Sequence, residues 1–218
     1  MKTKMSPLAK LYVALIIVFL YAPIVVMIVF SFNSSVSTSV MSGFSTRWYT
    51  SLFRDEGTMK ALVNTLILAV SSSLIATVMG TAAAVGINAM KNKWLKRGVM
   101  SVTNIPMMNP EIVTGISMML LFVFAAKLLG VTDALGFWTM LIAHVTFNLP
   151  YVILSVLPKL RQLDPRLPEA AMDLGCTPVQ AFFKVTLPSI MTGITSGLMM
   201  SFTLSLDDFV ISYFTQGP

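Results

Sequence analysis

A chain of 218 residues that is 56% hydrophobic and 11% charged, with mean hydropathy +0.80, lies outside the range of water-soluble domains, which carry about 25% charged residues. Such a composition does not fit a soluble core and assigns the chain to a lipid bilayer. The net charge of +6 would ordinarily point to an acidic partner, but no basic face is interleaved with exposed aromatics, and nucleic-acid binding is excluded.

The chain opens with Lys2, Lys4 and Lys10 and then an apolar run from Leu11 to Phe32 that only Pro23 interrupts. The run is long enough to span a bilayer, and no small-x-small cleavage site follows it, so it reads as an uncleaved first helix. The segment 33–60 is rich in Ser and Thr, then aromatic (Phe44, Trp48, Tyr49, Phe53), which predicts a short interfacial anchor; a partner's docking site is the alternative. The second span, 61–90, contains AVSSSLIATVMGTAAAVGI, whose small residues let helices approach closely inside a bundle. The third runs from about 99 to 126, and its opening stretch TNIPMMNPEIVTG holds Pro106, Pro110 and Glu111, where prolines break or kink a helix. The fourth and fifth cover 134–157 and 189–214. This predicts an all-α, polytopic membrane helix bundle of five spans in a single domain, 1–218.

Of 15 Lys and Arg, 11 fall at the N-terminus, in 91–97 and in 159–184. Basic loops stay in the cytoplasm, so the N-terminus, 91–98 and 158–188 are expected inside, and 33–60 and 127–133 outside. The single cysteine, Cys176, excludes an internal disulfide and reads as a small apolar residue.

The inner segment 168–188, PEAAMDLGCTPVQAFFKVTLP, is more than a connection. Pro168 suits a helix's first turn, and Glu169 the positive end of its dipole. Gly175 suits a left-handed stop, and Thr177-Pro178 a fresh N-cap and first position. The expected product is a helix–Gly turn–helix whose apolar positions (Ala171, Leu174, Phe182, Phe183) dock a cytoplasmic protein.

Asp207 and Asp208 occur inside the fifth apolar run. A carboxylate at mid-membrane costs roughly 2.5–3.5 kcal/mol on insertion scales and normally faces a cavity or a partner. Adjacent helical positions differ by about 100°, so one of the two is free to line a pore while the other bonds a neighbouring helix. Glu111 either contacts a cation or stabilises the new helix's N-terminus. His144 and Asn148 in the fourth span read as interhelical hydrogen bonders. No P-loop, catalytic triad or HExxH motif occurs, so the chain is expected to hydrolyse no ATP and to need no cofactor or metal.

The pattern EAA, Gly175 four residues after the second alanine, and a hydrophobic-x-Leu-Pro ending resembles the EAA loop of ABC-importer membrane permeases. With SFNSS, GFSTRWY, IPMMNPEIV, HVTFNLPYV and SFTLSLDDFVISYFTQGP, the chain is similar to the spermidine/putrescine type, closest to its second permease subunit. The resemblance implies a half-pore paired with a second permease subunit, a dimer of ATP-binding subunits, and an extracytoplasmic polyamine-binding protein, in a bacterial inner membrane. It implies that Glu169, Ala170, Ala171, Asp173, Gly175 and Pro188 couple to the ATPase, and it suits Asp207, Asp208 and Glu111 as a polyamine path. Family members continue into one more membrane helix and a cytoplasmic tail, which 1–218 is expected to lack. The rival readings are an ion-coupled secondary transporter relaying through Glu111, His144 and Asp207/Asp208, a membrane scaffold, or an ABC permease for another solute such as ferric iron, thiamine or phosphonate.

Overall fold

The computed structural model describes residues 6–36, 40–130 and 134–217. Lys2, Lys4, residues 37–39 of the expected outer segment, residues 131–133 of the expected second outer connection, and Pro218 lie outside them. The described residues form helices and no strand, only one isolated bridge between Asn33 and Phe44. Two compact units result, Met1–Val63 and Asn64–Pro218.

The first unit begins with α1 (Pro7–Ser31), whose N-terminus is capped by the Ser6 hydroxyl accepting from Ala9 N and none of whose residues is buried. Beyond it the chain folds on Asn33, which is 1% exposed. Its Nδ2 donates to Val40 O at 2.7 Å, its Oδ1 accepts from Ser42 N at 2.9 Å, and its carbonyl accepts from Trp48 Nε1 at 2.8 Å. The buried Asn33 thus holds Val40 and Ser42 through its side-chain amide and α2 (Arg47–Arg54) through its backbone carbonyl. Asp55 then starts α3 (Glu56–Ala89); the Thr58 hydroxyl and amide hold its carboxyl below the usual carboxylate range.

The second unit is organised around α6 (Phe137–Gln162), whose buried residues include Val152, Val156, Leu157 and Leu160. In α3, Leu68, Ser72, Ala76, Gly80 and Ala84 recur at every fourth position and all are buried. In α9 (Met191–Asp207), Gly193, Gly197, Ser201 and Ser205 do the same. Lipid offers little hydrophobic drive between helices, so small residues, by bringing backbones into van der Waals contact, set these interfaces. A Cβ at Gly80 would sit 2.7 Å from Val152 Cβ, and one at Gly193 would sit 2.9 Å from Ser155 O and 2.8 Å from Lys159 Cγ. Gly193→Val is therefore expected to force α9 off α6, costing about 1–3 kcal/mol, against near-neutrality for Gly86→Ala, which meets nothing within 4 Å. Thermal inactivation of the purified assembly measures both.

The region expected as one third span is two helices. Pro110 has no N–H and pushes Asn109 into an extended conformation (φ −83°, ψ 142°), which ends α4 (Lys93–Met108) and starts α5 (Glu111–Leu129). The expected fifth span is also interrupted. α8 (Pro178–Ser189) bends by 65° into α9 at Ile190, and α9 stops at Asp207 before the short α10 (Val210–Thr215). Among the described residues four helices, α1, α3, α5 and α6, are by themselves long and apolar enough to cross a membrane, and counting the bent pair α8–α9 as one span makes five.

Candidate functional site

Two places gather the polar residues singled out in the sequence. The first is the connection after α6. There α7 (Arg166–Asp173) carries Glu169 in its first turn and ends in a Schellman motif: Gly175 N donates to Met172 O at 2.9 Å and Cys176 N to Ala171 O at 3.1 Å. Gly175 has φ +92°, the left-handed conformation that a Cβ disfavours. Two residues on, Thr177 and Gln180 form a reciprocal capping box that opens α8. Within α8 the stretch Phe182–Thr186 is π-helical, and the helix returns to α geometry over Leu187–Ser189 before the bend. Pro188 has no N–H for the Lys184 carbonyl and its ring crowds that carbonyl, and the widened turn relieves the clash. α7 and α8 pack on each other, with Ala171 and Phe182 half-buried between them and Ala181 buried. The outer side of the pair stays uncovered: Leu174 is 87% exposed, Val179 66% and Phe183 60%. Glu169, Ala170, Asp173 and Pro188 are exposed as well.

The second place is the break after α9. Asp207 is the helix's last residue and is exposed, whereas Asp208 adopts an extended conformation (φ −70°, ψ 117°) and turns inward. The Asp208 side chain is 3% exposed and His144, on α6, is fully buried; their Nε2 and Oδ2 lie 3.6 Å apart. Asp208 also caps α10, accepting from Ile211 N at 3.3 Å and Ser212 N at 2.9 Å. The Ser212 hydroxyl donates to the same carboxylate at 3.3 Å, so its oxygen accepts from His144 Nε2–H at 3.0 Å. One turn further along α6, Asn148 Nδ2 donates to Ser205 Oγ at 2.7 Å, and Ser205 Oγ lies 3.0 Å from Ser72 Oγ of α3. A buried polar network therefore fastens α3, α6, α9 and α10 together at the break. α10 is held from the other side by α5, where a Cβ on Gly115 would meet Phe214 Cδ2 at 3.0 Å.

The two adjacent acids thus differ in kind. Asp208 is consumed by a cap and an internal partner, while Asp207 presents its carboxylate outward. They diverge through a backbone break, not through the 100° step of a continuous helix. Glu111 is the first residue of α5 and exposed, within Coulombic range of the Tyr151 phenol, and no polar contact links it to either aspartate among the described residues. Ser212, Ser205 and Ser72 were not singled out in the sequence. The spacing Asp208-x-x-x-Ser212 is the local signal for the first; the other two look like any small residue until the helices meet. No cluster of three or more metal-ligating side chains occurs among the described residues.

Residues 76–218 match the family of binding-protein-dependent transport system inner membrane components. The chain belongs to that family. It is 43% identical over 200 residues to the putrescine transport system permease protein PotI of Escherichia coli (strain K12), covering 92% of this chain and 71% of that protein. It is 39% identical over 207 residues to the spermidine/putrescine transport system permease protein PotC of the same strain, covering 95% and 76%. The PotC protein of Haemophilus influenzae is 35% identical over 210 residues, covering 96% and 79%. Among solved structures, a bacterial ABC transporter involved in the import of the acidic polysaccharide alginate superposes with a TM-score of 0.73 at 17% identity, covering 95% of this chain and 75% of that one. At that identity the likeness shows the fold alone. The family and the membrane-length helices together make this permease a multi-pass inner-membrane protein with a transport role and not a catalytic one.

Proposed function

We propose that the chain is one half of the pore of a polyamine importer, taking putrescine or spermidine delivered by an extracytoplasmic binding protein and driven by a separate ATPase. The observation that carries this reading is similarity over nearly the whole chain to permeases named for those two substrates. The alginate relative shares the fold with an acidic cargo, so the cargo is decided by side chains on the path and not by the scaffold.

In this reading the N-terminus is cytoplasmic, as the basic segments require. The α7–α8 pair docks on the ATPase, with Glu169, Ala170, Ala171, Asp173, Gly175 and Pro188 shaping it. Asp207 stands on the substrate path. It sits at the C-terminal end of α9, where the unsatisfied carbonyls of the last turn add negative partial charge to its carboxylate. A broken helix presenting that end is suited to a cation, and a substrate with several ammonium groups meets fixed charge without needing a neutralising base. Glu111 serves as a second, separate carboxylate. Asp208 stays off the path and holds the break in shape through His144 and Ser212.

The test is uptake by proteoliposomes containing the full assembly. ATP-dependent spermidine uptake is expected in the wild type, and Asp207→Asn is expected to raise KM by about tenfold, the effect of about 1.4 kcal/mol of lost attraction, with the ATPase still bound. Uptake that ignores ATP and follows a proton gradient would overturn the importer. An unchanged KM would remove Asp207 from the path.

A further inference from the structure

The start of α4 carries charge without counter-charge. Lys91, Lys93, Lys96 and Arg97 fall within seven residues, and no Asp or Glu occurs between Glu56 and Glu111. Among the described residues none of the four has a carboxylate within 4.0 Å. Lys96 Nζ donates to Asn88 O at 3.3 Å, which spreads its stem over the end of α3. The Arg97 guanidinium lies 5.6 Å from the ring centroid of Trp94. Trp94 is itself 81% exposed.

The rest of α4 gives this cluster a direction. Val99 and Met100 turn inward onto the core that includes Leu157 and Leu160. Trp94, Leu95, Val102 and Ile105, exposed by 81%, 57%, 66% and 51%, fall within about 100° of the outer helix surface. An exposed apolar strip therefore runs along α4 away from the cationic turn. A tryptophan marks the boundary where apolar surface ends and water begins.

We propose that the Lys91–Arg97 turn binds the headgroup of an anionic phospholipid, whose acyl chains lie along Trp94, Val102 and Ile105. The chemistry selects against a zwitterionic lipid: a phosphate that brings its own ammonium leaves the four cations unneutralised, whereas a phosphodiester with an uncharged head supplies net negative charge. The Arg97 guanidinium, beside Trp94, carries a fork of N–H donors that matches two phosphate oxygens at once. This site is independent of the substrate path and does not depend on which cargo is carried.

Trp94 is the reporter. The complete transporter is reconstituted in phosphatidylcholine bilayers with a minority of phosphatidylglycerol, brominated on the acyl chains of one lipid or of the other. The Trp94 contribution to fluorescence quenching is taken as the difference between wild type and Trp94→Phe. Per mole of lipid, brominated phosphatidylglycerol is expected to quench Trp94 at least about threefold more than brominated phosphatidylcholine. The preference is expected to fall to unity in Lys93→Gln/Lys96→Gln/Arg97→Gln, to survive in Lys93→Arg/Lys96→Arg, and to weaken in the wild type as salt is raised. Equal quenching by the two lipids in the wild type overturns the proposal. Quenching by neither, the result if a protein partner covers Trp94, overturns it as well.

Discussion

Asp208→Ala is expected to destabilise the permease by about 2–4 kcal/mol, although it removes one small side chain. Three losses coincide. His144, fully buried, is left without its charged neighbour; the amides of Ile211 and Ser212 lose their acceptor; and α10 loses the cap that starts it. Asp208→Asn keeps an oxygen for the amides and is expected to cost less. In a double-mutant cycle with His144→Gln, the two single losses are expected not to add, because either one already breaks the same contact. The adjacent Asp207→Ala makes the same change in charge at an exposed position and is expected to stay within about 0.5 kcal/mol of wild type. The fraction of the assembly that remains monodisperse after heating measures each of these variants. Equal stability of Asp208→Ala and Asp207→Ala would show that the His144 contact holds nothing together.

The second large effect is expected at α7–α8, on coupling and not on stability. Leu174→Glu changes a side chain that is 87% exposed in the chain itself, so it is expected to leave folding and membrane insertion intact. If the apolar side formed by Leu174, Val179 and Phe183 seats in the ATPase, the new charge would be buried there without a partner. ATP-driven uptake is then expected to fall by at least about tenfold, with loss of ATPase co-purification. Gly175→Val tests the geometry beneath that surface. At φ +92° a β-branched residue is strained, the Schellman turn opens, and α7 loses its angle to α8. Gly175→Asn, which tolerates the left-handed region, is expected to restore much of the coupling. Leu174→Glu with full uptake and full ATPase recovery would sink the docking role of this surface.

The signals that were legible in the sequence are local ones. Gly175 as a left-handed stop and Thr177-Pro178 as a new cap and first position involve residues within a few positions of each other, and the structure contains both. The break at Pro110 was legible for the same reason, since a missing N–H acts on its own neighbours. The extent of α4 was not, because Lys93–Arg97 reads as a polar loop while its helical turn is held by an Asn92 cap and by Val99 and Met100 packing on the core. The interruption after Asp207 was hidden by apolar residues on both sides of it.

Composition and capping signals were enough to determine a helical membrane protein and the helix–turn–helix before the last long helix, while the expected third and fifth spans ran across the breaks at Asn109-Pro110 and Ile190. Hydrophobicity and capping are properties of short windows, and the bilayer enforces them without reference to the rest of the chain. Only the tertiary structure decided which of two neighbouring aspartates is free. Their local sequence is nearly the same, but Asp208 meets His144 and Ser212 inside the α6–α10 contact while Asp207 has no polar side-chain partner among the described residues. A buried carboxylate is tolerated only where distant residues supply its hydrogen bonds, and that supply exists only once the helices have packed.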